Sequence, residues 1–243
     1  MKAIVLAAGI GTRLQPLTKN VPKPMMSIGG RPLLEHILIN LRDQGILEII
    51  INLHHLPEVI TDHFSDGRRM GLNIDYSFEP QILGTAGAVK NLEAALDSAF
   101  LVVYGDNYCR FDIQGFVDIH TRRQGLGVIG LTKGTDPTSG GIARIDKRCR
   151  VVRFLEKPAT GQIFSPLINA GIYLLEPDIL RFIPAMTFYD FGKDLFPNLL
   201  RRQQPFYGYA MNEDLRGINT IDEYREAKRH FWHSKSYRPD ISA

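Results

Sequence analysis

Cysteine is scarce in this chain of 243 residues: there are two, Cys109 and Cys149, at no spacing that suits a metal. So few exclude a disulfide framework and make a reducing cytoplasm the expected compartment. Charge is nearly balanced, with 29 basic and 26 acidic residues and a formal net charge of +3. That excludes a broad electrostatic surface for nucleic acid or for a membrane. No apolar run approaches the length of a bilayer span. The opening "MKAIVLAAG" has one lysine and an apolar run too short for a secretory signal, so it is expected to be a first strand. Internal repeats, low-complexity stretches and a linker rich in Pro, Gly or Ser are also lacking, as is any Ser or Cys nucleophile arrangement. What is present is ordinary globular composition, 44% hydrophobic and 23% charged, over a length sufficient for a full core.

The pattern alternates strand and helix. "KAIVLA", "LEIIINL" and "FLVVYGD" are continuous apolar strands. "RPLLEHILINLRDQG", "PEVITDHFSD" and "AGAVKNLEAAL" have helical spacing, and "LNIDYSF" alternates like a strand. Apolar strands separated by helices predict an α/β fold with a mostly parallel sheet covered on both faces, over residues 1 to about 133. From about 134 to 243 the pattern changes. "GIARID" and "VVRFLEKP" predict a hairpin, "LINAGIYLLEP" a strand, "DFGKDLFPNLLRRQ" a helix, "FYGYAM" a strand and "TIDEYREAKRHFW" a closing helix. The expectation is one domain, with a second portion packed against a nucleotide-binding sheet. Ligands of open parallel sheets bind beyond the carboxyl ends of strands. Gly9, Glu79 and Asp106 each follow a predicted strand.

Phosphate is the first ligand that physics suggests. In "GIGTR", Gly9 and Gly11 let the backbone approach an anion, and Arg13 can grip phosphate oxygens in a fork. Lys23, between Pro22 and Pro24, is a point charge on a stiffened segment. The dinucleotide fingerprint fails because Leu14 stands where its third glycine belongs, and no Gly-Lys-Ser/Thr follows for a P-loop. Asp106, after Gly105 at the mouth of an apolar strand, suits Mg²⁺ through oxygen ligands, and equally a turn cap. Glu79 could accept from a pair of adjacent N–H groups, or be a solvated charge before Pro80. Lys157 precedes a proline, which predicts extended backbone, and Glu156 could pair with it. Asn169 and Gly171 interrupt an apolar strand, which marks a ligand group at a strand end. His54 and His55 are a strand-end pair with no metal partner at ligand spacing, and Met25 and Met26 are core filler.

In order, Gly-x-Gly-Thr-Arg, Pro-Leu-Thr and Pro-Lys-Pro-Met resemble the signature of the sugar-1-phosphate nucleotidylyltransferases. "EPQILGTAGAV" resembles the family's base loop and "VVYGDN" its metal segment. "FLEKP" and "NAGIYLLEP" resemble its sugar-phosphate segments, and "DFGKDLFPNLL" a stretch of the mannose-1-phosphate guanylyltransferase branch. The resemblance spans nearly the whole chain. It implies a Rossmann-like sheet and an enzyme joining a nucleoside triphosphate to a sugar 1-phosphate, with GTP favoured over UTP or TTP. It places Ala8, Gly9, Gly11, Thr12, Glu79, Gly84 and Thr85 on the nucleotide, and Asn107, Gly141, Glu156, Lys157, Asn169 and Gly171 on the sugar phosphate. Arg13, Lys23 and Asp106 would serve catalysis.

Where many relatives have Asp-x-Gly-Thr for a second metal ligand, this chain has "GINT", so Gly217 stands in the aspartate's place. Relatives with Gly-Val-Asn there imply that Asn219 holds Mg²⁺ with Asp106; the alternative is that Asn219 caps the following helix. The implied partners are small molecules, with neither nucleic acid nor membrane, and a homo-oligomer is compatible with the pattern. A chain ending at 243 is expected to lack the β-helical acetyltransferase half of some relatives. Two other classes stand beside this one, the second disfavoured by the missing third glycine. A non-catalytic nucleotide-sugar binding module would release no pyrophosphate, and a dehydrogenase would bind nicotinamide.

Overall fold

Alternate residues of the first strand face opposite cores, which is why its sequence is apolar after Lys2. In β1 (Lys2–Leu6), Ala3 and Val5 pack on one side and Ile4 on the other, all fully buried. The computed structural model describes residues 1–108, 111–134, 136–212 and 216–233. After β1 come a short ribbon of β2 (Ser27–Ile28) and β3 (Arg31–Pro32), then α1 (Leu33–Asp43), β4 (Glu48–Leu53), α2 (Pro57–Phe64) and β5 (Asn73–Phe78). Next are α3 (Gly84–Lys90), β6 (Phe100–Tyr104), β7 (Asn107–Tyr108), α4 (Ile113–Arg123) and β8 (Gly127–Lys133). The later part holds β9 (Gly141–Ile145), β10 (Val151–Glu156), β11 (Leu167–Leu175), α5 (Phe196–Arg201), β12 (Tyr207–Ala210), β13 (Arg216–Gly217) and α6 (Ile221–His233).

Strands β5-β4-β1-β6 are parallel neighbours, the central sheet expected from sequence. Antiparallel β11 joins β6 and carries the sheet into the later part, where it also pairs with β8 and β9; the hairpin β9–β10 forms the far edge. Helices α1, α2 and α4 cover one face, with Leu38, Ile60 and Phe116 in its core. The other face carries α3 and α5 over Tyr173, Phe191 and Phe196. A small third core joins Leu14 of the glycine loop to Met26, Ile28 and Leu33, and to Ile218 and Ala227 near and on α6. The last helix therefore braces the first loop.

Three local expectations differ. "AGAVKNLEAAL" leaves α-helix at Lys90 and continues as a 3-10 turn over Glu93–Ala95. "DFGKDLFPNLLRRQ" opens with a wide π-type turn, Phe191–Leu195, before α5. Lys157 is not extended: its φ is +45°, a left-handed conformation rare for a residue with a side chain. Cys149 is a free thiol, while Cys109 lies outside the described residues. Among the described residues no helix is long and apolar enough to cross a membrane.

Candidate active site

The parallel strands β1, β4, β5 and β6 all end on one side, and the predicted site begins there. Gly11 has φ +68°, and a Cβ would meet Thr18 Cγ2 at 3.1 Å and Lys23 Cβ at 3.2 Å. The loop turns tightly enough to be held by Thr18, whose hydroxyl donates to Gly11 O at 2.8 Å. His55 Nε2–H in turn donates to Thr18 O at 3.2 Å, giving one of the two histidines a bracing role. Gly9 has open space around it, and Thr12 and Arg13 are exposed. Ala8 is buried at the root of the loop.

Lys23 is only 5% exposed, yet its ammonium donates to Asp106 Oδ2 at 2.6 Å and to Asn219 Oδ1 at 3.0 Å. Arg13 donates to the same Asn219 oxygen at 3.2 Å. Residues from three distant parts of the chain therefore meet at one point. Gly105 lets Asp106 reach it, because a Cβ there would lie 2.8 Å from Leu6 O. Asn219 is delivered by the ribbon β7–β13, in which Gly217 lies opposite Asn107. Asn219 does not cap α6. Thr220 does: Glu223 N–H donates to Thr220 Oγ1 at 3.2 Å, while Glu223 Oε2 accepts from the amides of Asn219 and Thr220. This is a capping box, and it leaves the Asn219 side chain to the site.

Arg13, Asp106, Asn107 and Asn219 line a cavity of about 620 Å³, whose other wall is Gly141, Glu156, Lys157, Asn169 and Gly171. Gly141 makes room for the Phe154 ring and for Glu156, since a Cβ there would press on Phe154 and stand 2.6 Å from Glu156 Oε2. Burial, with Asp190 nearby, raises the Glu156 carboxyl above its usual pKa, opposed by Lys157 and Lys193. Gly171, at φ +69°, forms a bulge in β11, and a Cβ there would meet Tyr104 Cγ at 2.7 Å. Asn169 donates to the Tyr173 hydroxyl at 2.8 Å and accepts from Gly171 N–H at 3.1 Å. Asn107 donates to Ala170 O at 3.1 Å. Burial pushes the Tyr104 hydroxyl above its usual pKa, so it stays protonated at neutral pH.

The base-loop residues are less open than their sequence implied. Glu79 is 2% exposed and so not a solvated charge; its Oε1 accepts from Asn52 Nδ2 at 2.8 Å and Oε2 from Leu83 N–H at 3.1 Å. Asn52, itself 1% exposed, accepts from Ala7 N–H at 2.8 Å. A buried relay thus ties the end of β1 to the loop after β5. Sequence reasoning passed over Asn52; its signal was a lone amide in the apolar run "EIIINL". Gly84 and Thr85 sit at the start of α3, outside the cavity lining. The amides of Ala86 and Gly87 both donate to Tyr189 O, at 2.9 and 3.0 Å. Asp190, Gly192 and Lys193 line the cavity and were also missed.

Residues 2–233 match the model of the nucleotidyl transferase family, and the chain belongs to that family. A curated relative from Synechocystis sp. (strain ATCC 27184 / PCC 6803 / Kazusa), named UTP--glucose-1-phosphate uridylyltransferase, is 37% identical over 244 residues, covering 94% of this chain and 63% of its own length. The mannose-1-phosphate guanyltransferase of Saccharomyces cerevisiae is 34% identical over 210 residues, covering 84% of this chain and 57% of its own. The chain thus spans less than two thirds of either relative. Among solved structures, HddC from Yersinia pseudotuberculosis complexed with GMP-PN has a TM-score of 0.80 and 28% identity, covering 95% of this chain and 99% of that one.

Proposed function

We propose that this chain transfers a nucleotidyl group from a nucleoside triphosphate to a sugar 1-phosphate, releasing pyrophosphate. The observation that carries the reading is the meeting of Arg13, Lys23, Asp106 and Asn219, of which Arg13, Asp106 and Asn219 line a cavity whose far wall is Glu156, Lys157 and Asn169. One cavity can then hold triphosphate against the basic pair and sugar phosphate against Lys157. A phosphate oxygen of the sugar attacks the α-phosphorus, the new P–O bond forms, and the bond to the leaving pyrophosphate breaks. The nucleophile is already ionised, so the protein contributes positioning and charge. Arg13 steadies the leaving phosphates, Lys23 the α-phosphate and Lys157 the sugar phosphate.

Asp106 Oδ2 and Asn219 Oδ1 fit Mg²⁺ as hard oxygen donors, since a single ammonium already gathers both. When bound there, a divalent cation would offset charge on the phosphates. GTP is the favoured donor. The relatives named guanyltransferases and the GMP-PN complex of HddC support it. Glu79 lends it less, because both its oxygens are engaged within the protein. The uridylyltransferase relative keeps UTP as the alternative.

Two substitutions separate the subsites. Arg13→Ala should lower kcat by about 10²-fold with the sugar phosphate's KM little changed, whereas Lys157→Ala should chiefly raise that KM. The reverse pattern in steady-state kinetics would reject the assignment.

A further inference from the structure

The "DFGKDLFPNLL" stretch has no role in the chemistry above, yet it lines the cavity at Asp190, Gly192 and Lys193 and, with Tyr189 before it, is bonded to the start of α3. Tyr189 N–H donates to Leu83 O at 2.9 Å, and Tyr189 O accepts from Ala86 and Gly87. Gly84 cannot carry a Cβ, which would stand 2.7 Å from Tyr189 O. The Thr85 hydroxyl donates to Asp190 Oδ2 at 2.8 Å and accepts from Phe191 N–H at 2.9 Å. The other Asp190 oxygen accepts from Gly192 N–H at 2.9 Å and Lys193 N–H at 3.0 Å. Gly192 packs against the Glu156 carboxylate where its own side chain would be, so the position of this turn sets that of Glu156. On the other side, the Tyr104 hydroxyl lies beside Thr85 and Tyr173, and Tyr173 is held by Asn169.

We infer that Asp190 is a positioning residue, and that its hydrogen bond from Thr85 is the joint through which the nucleotide-side loop and the sugar-side wall order one another. A carboxylate taking one hydroxyl and two amide donors is a strong, directional hub. Its loss on either side should loosen the other side. The kinetic part of this inference rests on the proposed reaction; the structural part does not.

Amide hydrogen exchange on the ligand-free protein tests the structural part with crossed readouts. Thr85→Val should speed exchange at Gly192 and Lys193, and Asp190→Asn should speed it at Ala86 and Gly87, each by about tenfold, the worth of a charge-assisted hydrogen bond. Thr85→Ser should return the first pair to near the wild-type rate. Loosening confined to the substituted side would overturn the joint. If Thr85→Val fails to fold, Asp190→Asn alone carries the crossed test. In pyrophosphate release, each variant should lose about tenfold in kcat/KM for the sugar 1-phosphate, and the double variant no more than either. Losses that multiply to about a hundredfold would overturn the coupling. A wild-type protein without turnover would sink the reaction and leave the exchange result to decide the joint.

Discussion

At the scale of single residues, the site is an arrangement of charges kept partly from water, and pH exposes it. Glu156 titrates above its usual value of 4.5 because burial, with Asp190 beside it, disfavours its charge. The neutral acid's advantage is fully present below that usual value and is lost as pH rises through the raised one. Glu156→Gln escapes this loss. Its Tm should exceed wild type at neutral pH and converge with it in acid; a gap that stays constant with pH would contradict the assignment. Asn219 and Thr220 form a second contrast, because the capping box assigns them different work. Thr220→Ala should cost about 1 kcal/mol of stability and leave any Mg²⁺ requirement alone. Asn219→Asp should lower the Mg²⁺ concentration that supports activity. A shifted Mg²⁺ profile in the Thr220 variant would mean that the two roles were exchanged.

Among the elements, those legible in the sequence bury two faces. β1, β4 and β6 are apolar runs, broken inside only by Asn52, because cores lie on both sides, and α1 shows its spacing because only one stripe packs. The ribbon β7–β13 was not legible: strands of two residues have no period, and their pairing joins positions more than a hundred residues apart. The wide turn at Phe191–Leu195 was hidden for a related reason. Its apolar residues fit a helical stripe, and what opens it is an Asp190 cap bonded to Thr85 across the fold. Gly84 looked like a nucleotide contact, and its glycine also has a structural cause. Gly84→Ala would force a side chain at φ +75° into Tyr189 O. It should destabilise the protein by at least about 1 kcal/mol in thermal or urea unfolding. An unchanged midpoint would show that the seam between α3 and the Tyr189 segment gives way freely.

Across the whole molecule, the sequence marked candidate residues without showing what each one touches. Arg13 and Lys23 of the first loop, Asp106 and Asn219 come from three distant parts of the chain and are joined by hydrogen bonds. Lys157, Glu156, Asn169 and Gly171 do face the same cavity. Glu79, Gly84 and Thr85 carry internal bonds that no local pattern announces, since their partners Asn52, Tyr189 and Asp190 come from other strands and turns. The sheet brings Arg13, Asp106 and Asn219 to one wall of a cavity and Glu156, Lys157 and Asn169 to the other, which gives the proposed transfer a place for each of its two substrates. The direct measurement is pyrophosphate release by the purified chain with Mg²⁺, across five nucleoside triphosphates and a panel of sugar 1-phosphates. Release should require both substrates together and be fastest with GTP. Pyrophosphate formed equally well without any sugar phosphate, or none with any pair, would contradict the transfer reaction itself.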